Sequence, residues 1–571
     1  MTWVPLVLMA ANASAGPGGP PAKAALRAPL WPGMAPVPQP GVPLLGDGPP
    51  DADRVARCPL RLESRRPYHW VFAPGDAAEI LVSCKADDRI EGAALTAWDW
   101  EERPVWQTQL ATPGEAEVRF EVRGRGTYLL TLDGMHDGRC AFRLVRSFAV
   151  CPPNDARRAA WKDSGFWIGQ CSFPGWQGAR LEGGPPAHTE GLTEQQARDL
   201  DADLVTRMGA QVARINFPVF RRDESGLDLD FTLADQCVEA FASQGLALDL
   251  QLFGPVGPGR GPVLPAYAAA PVEVAPLCPL QEAPYRHFVG EVSRRYGRHA
   301  QFFQIGNEPG NEQQYKGAPE EYVAAVHQAA DEVRRVWPQA VVTNGGYCNT
   351  GEAVRQIAAG LRGATDFVSY HYHADLPGLK AFFSDIEAAH REAGYTQVRY
   401  ANTETGYAMP TVAQETTNAA CEMQKLLWCW AHGHEGVLLY SSRELWWPRQ
   451  FSYNGISDYG FVDHFFCPRF VYGAASALLD HGAGFRFEET LRESAGVHAY
   501  LFRRDRRCLV ALFTTGEPAL VTVLSDARQA SLIDPMGNAG RVADARRVAL
   551  TLKRQPRYVR LAGATRVRLE P

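Results

Sequence analysis

Residues 302–310 read FFQIGNEPG, and residues 398–406 read VRYANTETG. Each stretch is a strand candidate that ends near a carboxylate, Glu308 in the first and Glu404 in the second, followed by turn residues. The two carboxylates lie 96 residues apart in the sequence. That distance is three units of roughly 32 residues, the length of a βαβ unit. The spacing therefore indicates repeated βα units, with the two carboxylates at the ends of the fourth and seventh strands.

Strand candidates alternate with amphipathic helix candidates between residues 153 and 482. The alternation predicts a parallel (β/α)8 barrel, an α/β fold whose active site lies at the carboxyl ends of the strands. A doubly wound open sheet is the competing fold, but no Gly-x-Gly-x-x-Gly follows the first strand. The eight strand candidates are Phe166–Cys171, Val212–Phe217, Ala247–Phe253, Phe302–Gly306, Ala340–Asn344, Phe367–His371, Val398–Asn402 and Val437–Ser441.

The segments on either side of the barrel have a different pattern. Residues 51–152 contain short alternating runs separated by Asp-Gly turns, and residues 483–571 return to alternation of this kind. Each segment predicts a small antiparallel β-sandwich that flanks the barrel. Residues 16–50 are rich in Pro, Gly and Ala, a composition that predicts a linker.

Length and composition limit the classes of protein to which this chain can belong. A chain of 571 residues, 46% hydrophobic and 21% charged, predicts two to four globular domains. Fifty-eight basic and 64 acidic residues give a net charge of −6, and no basic block is present, so nucleic acid is not an expected partner. No stretch reaches the 18 or so apolar residues that span a bilayer, so no membrane span is expected. The sequence does not predict the oligomeric state.

Residues 1–15 resemble a signal peptide. An apolar run at residues 4–10 leads to the small-x-small pattern Ala13-Ser14-Ala15, although no Lys or Arg precedes the run. We therefore expect a secreted or periplasmic protein, with a cytoplasmic location as the alternative.

Cysteine usage does not indicate a metal site. The twelve cysteines include no Cys-x-x-Cys pair, so structural zinc is not expected. Two interpretations stay open for the four cysteines of the N-terminal segment. If the protein is exported, they could form a disulfide in the sandwich, and the alternative is that they are buried thiols. The four cysteines are Cys58, Cys84, Cys140 and Cys151.

The motif Gly306-Asn307-Glu308-Pro309 at the fourth strand, with Glu404 at the seventh, resembles the retaining glycoside hydrolases of clan A. The Gly before Asn-Glu-Pro is similar to families 39 and 51, which include β-xylosidases and α-arabinofuranosidases. This resemblance, which covers about residues 160–480, implies that Glu308 is the acid/base and Glu404 the nucleophile. The alternative is structural, with each Glu capping a loop or pairing with an Arg.

The resemblance implies two further polar contacts in the site. Asn307 would hydrogen-bond the 2-hydroxyl of the substrate, a bond that strengthens in the transition state. Arg214, late on the second strand, would lower the pKa of Glu404. The alternatives are an amide that only satisfies a turn and an Arg that pairs with any barrel acid.

The sixth strand departs from the family pattern. Many clan members carry His-x-Tyr there, whereas this chain has His371-x-His373, with His373 in place of the Tyr that usually hydrogen-bonds the nucleophile. Both side chains point to one face of a strand and could resemble two metal ligands. Because spacing suggests no third ligand, we expect no metal and no organic cofactor.

Aromatic residues in the loops after three strands are candidates for stacking on sugar rings. They are Tyr347, Tyr407 and Trp446, with core packing as the alternative. The resulting hypothesis is a retaining glycoside hydrolase that cleaves an oligo- or polysaccharide. One alternative is an inactive carbohydrate-binding or scaffold protein on the same barrel. Another is an esterase, but the chain has no Gly-x-Ser-x-Gly.

Overall fold

The computed structural model describes residues 44–45, 60–65, 69–85, 87, 90–111, 114–153, 155–174, 192–215, 219–223, 227–252, 282–310, 318–407, 415–443, 459–463 and 466–570. Its central sheet has eight parallel strands, each hydrogen-bonded to the next along the sheet. The strands are β1 (Trp167–Ser172), β2 (Val212–Ile215), β3 (Ala247–Leu252), β4 (Ala300–Ile305), β5 (Val342–Asn344), β6 (Val368–Tyr372), β7 (Tyr400–Thr405) and β8 (Gly436–Tyr440).

The sheet closes into a barrel between β5 and β6. Along the sheet, the order runs from β5 through β1 and β8 to β6. Just beyond β5, Tyr347 forms a parallel bridge with Tyr370 of β6. In this bridge the Tyr347 N–H donates to the Ser369 carbonyl at 3.1 Å, and the His371 N–H donates to the Tyr347 carbonyl at 2.8 Å. The predicted (β/α)8 fold is confirmed, and each predicted strand overlaps an observed one.

One helix follows each strand and covers the outside of the barrel. In α4, the buried residues recur at helical spacing, which gives the helix one apolar face. The helices are α1 (Glu194–Met208), α2 (Thr232–Ala242), α3 (Glu282–Tyr296), α4 (Pro319–Val336), α5 (Thr350–Ala358), α6 (Leu376–Glu392), α7 (Glu415–Ala431) and α8 (Phe470–Gly482). Smaller elements are the helix Asp155–Trp161, the 3-10 turns Lys162–Ser164 and Gly297–His299, and the hairpin Phe220–Arg221 with Leu229–Asp230. Of the described helices, none has the length and apolar character of a membrane-spanning segment.

The barrel interior has an apolar lower layer and a polar upper layer. We call the lower layer the apolar plug, and its members include Val212, Phe302, Phe367, Ala401 and Leu438. Side chains two positions further along a strand point to the same face, one layer closer to the carboxyl ends. Arg214 follows Val212 in this way, and Gln304 follows Phe302. Charged and amide groups therefore collect at the upper end of the barrel.

The N-terminal segment forms two facing sheets around a shared apolar core. One sheet contains Leu60–Ser64, Ala77–Cys84 and Gly114–Glu121. The other contains Leu44–Leu45, Val71–Phe72, Gly92–Trp98, Pro104–Leu110, Gly126–His136 and Arg139–Val150. Cys84, Cys140 and Cys151 are buried, as the thiol interpretation expects. Cys58 lies outside the described residues, so a disulfide that includes it stays a prediction.

The C-terminal segment repeats the two-sheet arrangement with its own core. Its larger sheet contains Arg486–Ser494, Val497–Arg504, Arg507–Thr514, Gln529–Ile533, Ala539–Arg541 and Arg557–Ala562. Its smaller sheet contains Ala519–Ser525, Arg547–Leu552 and Val567–Glu570. The predicted sandwich-barrel-sandwich architecture is confirmed. The domain boundaries stay predictions, and the segments 1–15 and 16–50 lie outside the described residues except for positions 44–45.

Helix α8 joins the three parts of the chain. From the N-terminal sheets, the Thr127 hydroxyl donates to the Arg469 carbonyl at 2.9 Å, and Arg125 pairs with Asp480. From the C-terminal sheets, the Gly537 carbonyl lies 3.0 Å from His481 Nε2 of α8, and the Asn538 side chain accepts from the Arg125 N–H at 2.6 Å. Because these contacts are partly buried, they hold both sandwiches against the barrel.

Candidate active site

Glu308 lies in a tight loop just after β4. Its φ of +41° is in the left-handed region, which residues with a side chain seldom adopt. The conformation is held by the Glu308 N–H, which donates to the Gly345 carbonyl at 2.7 Å. A Cβ at Gly345 would lie 2.8 Å from the Ile305 carbonyl oxygen, so this close approach requires glycine. The local backbone therefore fixes where the Glu308 carboxyl enters the barrel mouth.

Glu404 lies within β7, whereas the sequence placed it just after the strand. Its side chain is buried, and Arg214 of β2 pairs with its Oε2 while donating to the Thr403 carbonyl at 3.2 Å. On the other side, His373 Nε2 lies 3.1 Å from Glu404 Oε1. Burial alone would raise the pKa of Glu404, but the charge of Arg214, together with His371 and His373, holds that pKa well below its usual range. These neighbours therefore favour the carboxylate form of Glu404.

His371 of β6 connects the two carboxylates. Its Nδ1 lies 2.9 Å from Glu308 Oε1 and 3.6 Å from Glu404 Oε2, and its Nε2 lies 3.1 Å from the Thr403 hydroxyl. Space for the ring depends on Gly346, which has a φ of +85°, since a Cβ there would lie 2.2 Å from His371 Nε2. The imidazole thus has hydrogen-bonding groups at both nitrogens and is completely buried at its side chain.

Asn307, next to Glu308, has its amide oriented by two glutamines. Gln251 of β3 and Gln304 of β4 donate to Asn307 Oδ1 at 3.2 and 3.4 Å. With the oxygen facing these donors, the amide NH2 lies on the opposite side of the group. This orientation suits Asn307 for donating a hydrogen bond.

The three aromatic residues predicted to contact sugar lie in different surroundings. Tyr347 is 0% exposed and packs in the main hydrophobic core near His390, so its predicted contact with a sugar is wrong. The cause is the barrel-closing bridge, which fixes Tyr347 in the wall. Tyr407, half-buried just after β7, stays a prediction, while Trp446 lies outside the described residues.

Two tyrosines beside His373 were missed by the sequence reasoning. The rings of Tyr440 and Tyr459 lie 5.2 and 5.3 Å from the His373 ring, both edge to face. A Cβ at Gly406 would lie 2.9 Å from His373 Nδ1, so this glycine lets the strand end pass against the imidazole. The carbonyl of Gly406 accepts from the buried Lys425 of α7 at 2.8 Å. Tyr440 ends a recognised strand, but no pattern in the sequence marks Tyr459.

Two groups of side chains in the described residues have metal-like spacing. Glu308, His373 and Glu404 each offer an atom within 4.8 Å of the others. The pairing of Arg214 with Glu404 already neutralises one of these anions. The second group, Glu91, His136 and Asp137, is on the surface of the N-terminal sheets, where acidic clusters are common without an ion.

Comparison with known proteins was made on the sequence and on the fold. No protein-family model matches the sequence, and no curated protein matches it. A solved family 39 glycoside hydrolase from the gut symbiont Bacteroides cellulosilyticus WH2 matches with a TM-score of 0.64 and 15% identity, covering 88% of this chain and 100% of that one. This chain shares the fold of that hydrolase. The predicted resemblance is thereby confirmed at the level of the fold.

Two further solved structures match a smaller part of the chain. A family 39 β-xylosidase from Caulobacter crescentus has a TM-score of 0.47 and 11% identity, covering 70% of this chain and 96% of its own. A family 30 subfamily 8 xylanase from Clostridium acetobutylicum has a TM-score of 0.48 and 11% identity over the same shares. The 88% coverage by the Bacteroides hydrolase extends beyond the barrel, so the flanking sheets belong to the shared fold.

Proposed function

We propose that this protein is a retaining glycoside hydrolase that cleaves an oligo- or polysaccharide by double displacement. The observation that carries the proposal is the pair Glu308 and Glu404, which approach each other at the carboxyl ends of β4 and β7. One carboxylate is ionised by its neighbours, and the other faces a histidine. A retaining glycosidase needs one ionised carboxylate as the nucleophile and a second carboxyl group as the proton donor.

The separation of the two carboxyl groups supports retention of configuration. An oxygen of Glu308 lies within 4.8 Å of an oxygen of Glu404. Retaining glycosidases hold their carboxyl groups about 5–5.5 Å apart, and inverting enzymes leave about 6.5–9.5 Å for a water molecule. A contact this short supports the retaining arrangement, in which Glu404 itself attacks the sugar.

The reaction takes two steps. In the first, Glu404 attacks the anomeric carbon and the bond to the leaving oxygen breaks, while Glu308 gives that oxygen its proton. In the second, Glu308 takes a proton from water, whose oxygen attacks the same carbon and releases Glu404. Asn307, with its NH2 group oriented by Gln251 and Gln304, donates to the substrate 2-hydroxyl.

His371 supports both protonation states of Glu308. A neutral imidazole can accept the Glu308 proton at Nδ1 and donate to the Thr403 hydroxyl from Nε2. The other tautomer donates from Nδ1 to the ionised Glu308 and accepts from Thr403. Since a threonine hydroxyl both donates and accepts, either tautomer leaves the ring satisfied.

His373 replaces the family's tyrosine as the partner that orients the nucleophile. Its Nε2 contacts Glu404 Oε1, the oxygen that Arg214 does not bind. Two different donors therefore hold the two oxygens of Glu404.

The presence of both carboxylates argues against the inactive binding-protein alternative. Export to the periplasm or the medium also remains part of the proposal.

A panel of p-nitrophenyl glycosides tests the function, with Glu404→Gln as a control of nearly the same shape. We expect at least one glycoside to be hydrolysed by the wild type and none by the variant at a comparable rate. Proton NMR of the first product should show the configuration of the substrate. A product of inverted configuration, or equal rates in the variant, would contradict the proposal.

A further inference from the structure

Asp249 of β3 is a buried carboxyl in the barrel interior that the reaction described above does not use. It is 0% exposed, and neither of its oxygens has a hydrogen-bond partner among the described residues. An ionised carboxylate is costly in such a place unless it is paired and hydrogen-bonded. Such groups usually take up a proton instead.

The strand register places Asp249 between a charge and an apolar ring. On one side its in-register neighbour is Arg214 of β2, and on the other it is Phe302 of β4, a member of the apolar plug. Phe302 offers no donor. The hydrogen bonds described for the Arg214 guanidinium go to Glu404 and to the Thr403 carbonyl. The guanidinium beside Asp249 is thus directed at another carboxylate.

Among the described residues, two charged groups on other strands act on Asp249, and a buried thiol lies near it. Arg214 of β2 favours the ionised form, Glu404 of β7 opposes it, and the buried Cys171 thiol of β1 lies in the same electrostatic neighbourhood. Burial raises the pKa of Asp249 to about 8, with Arg214 lowering it and Glu404 raising it further. Burial and the lack of a hydrogen-bond partner among the described residues therefore favour the protonated form of Asp249.

We propose that Asp249 is a proton-holding positioning residue: as a neutral acid it leaves Arg214 paired with Glu404, and as an anion it competes for that guanidinium. The inference rests on the proposed function for its effect on the reaction. The protonation of Asp249 itself does not depend on that function. A carboxylate at Asp249 would share the Arg214 charge and weaken the hold of Arg214 on Glu404.

Infrared spectroscopy of the wild type tests the protonation without a variant. Labelling the side-chain carboxyl of aspartate with 13C shifts the bands of Asp but not those of Glu, such as the buried Glu422. Burial also raises the pKa of Asp201, to about 6, so the band of Asp249 is the one that titrates near pH 8. We expect an isotope-shifted band of a protonated carboxylic acid at pH 7 that disappears by pH 10. Its absence at pH 7 would overturn the proposal, whatever the enzyme does to glycosides.

The variant Asp249→Asn gives a second readout in thermal stability. In the wild type, the folded state binds more protons than the unfolded state between the ordinary aspartate pKa of about 4 and the folded pKa of about 8. Stability therefore falls as pH rises through this window, and the Asn variant lacks that loss. The Tm of the variant relative to the wild type should rise between pH 5 and 8 and then level off, and a constant difference would contradict protonation.

The pH dependence of glycoside hydrolysis shows whether the proton on Asp249 affects the nucleophile Glu404. A dinitrophenyl glycoside is the suitable substrate because its leaving group departs without a proton, which removes the requirement for Glu308 as an acid. With each enzyme normalised to its own rate at pH 7, wild-type kcat/KM should fall above about pH 8. The Asp249→Asn variant should lack this decline. If kcat/KM of wild type and variant fell in the same way above pH 8 while the infrared band was present, Asp249 would be protonated but would not position Arg214. The proposed hydrolase function would be unaffected by that result.

Discussion

The two carboxylates of the site occupy different surroundings, although they lie within 4.8 Å of each other. Glu404 belongs to a strand, is buried, and has Arg214 and His373 on its two oxygens. Glu308 belongs to a loop with a left-handed backbone and contacts the imidazole of His371. The difference shows how the surroundings of two glutamates in one fold can suit one of them to act as a nucleophile and the other as a proton donor. A fixed cation stabilises the anion at Glu404, and a partner that can accept or donate allows Glu308 to exchange a proton.

The largest effect is expected from Glu404→Ala, which removes the attacking group. We expect kcat to fall by roughly 10⁴-fold or more for good and poor leaving groups alike. Azide can enter the vacant space and attack from that side, so it should restore turnover with inversion. Stopped assays with azide, followed by NMR of the glycosyl azide, measure both. Azide rescue with retention would show that the two roles are exchanged.

Glu308→Ala should fail in a way that depends on the leaving group. Loss of general acid catalysis costs about 10²–10⁴-fold for a poor leaving group, but a dinitrophenolate should still depart and glycosylate Glu404. Azide, which needs no general base, should then accelerate release and give a product of retained configuration. A plot of log kcat/KM against leaving-group pKa for wild type and variant provides the check. Equal losses across the series would remove Glu308 from the acid role.

Arg214→Met tests the cation beside Glu404. Since Arg214 lowers the pKa of Glu404, its removal should raise that pKa, and the acidic limb of kcat/KM should move to higher pH. We also expect a loss of roughly 10²-fold at neutral pH, because the carboxylate loses a charged hydrogen bond. Arg214→Lys is the matched control that keeps the charge and should retain more of the acidic limb. An unchanged limb in the Met variant would contradict the assigned role.

His373→Phe is expected to have the smallest effect of the four. It removes the donor to Glu404 Oε1 but leaves Arg214 on Oε2, so we expect a loss of about tenfold in kcat. His373→Tyr restores the residue typical of the resembling families and should recover part of that loss. Because KM reports on sugar contacts, a change in KM alone would show that His373 binds substrate and does not orient the nucleophile.

The sequence predicted the barrel because its signal is repeated. Each buried strand is a short run next to a helical pattern, and the 96-residue spacing of Glu308 and Glu404 matches three repeats. The strand ends were less well predicted, and Glu404 turned out to lie inside β7. Such shifts of a few residues are expected where only local pattern is available.

The misassigned and missed residues depend on contacts between distant strands. Tyr347 follows a strand as a binding residue would, but the bridge to Tyr370 that closes the barrel turns it into core. Asp249 lies between two leucines of β3, and only the register with Arg214 reveals its position. Tyr459 reaches His373 from a distant part of the chain. None of these contacts has a local signature.

Covalent trapping tests the central claim most directly, because it identifies the nucleophile without assumptions about the acid. Dinitrophenyl 2-deoxy-2-fluoro glycosides, matched to whichever sugar the wild type hydrolyses, slow the second step more than the first and let the glycosyl-enzyme accumulate. Mass spectrometry of the digested protein should find the label on Glu404 and no label in the Glu404→Gln variant. A label on Glu308 or another residue, or steady turnover without any label, would contradict the account.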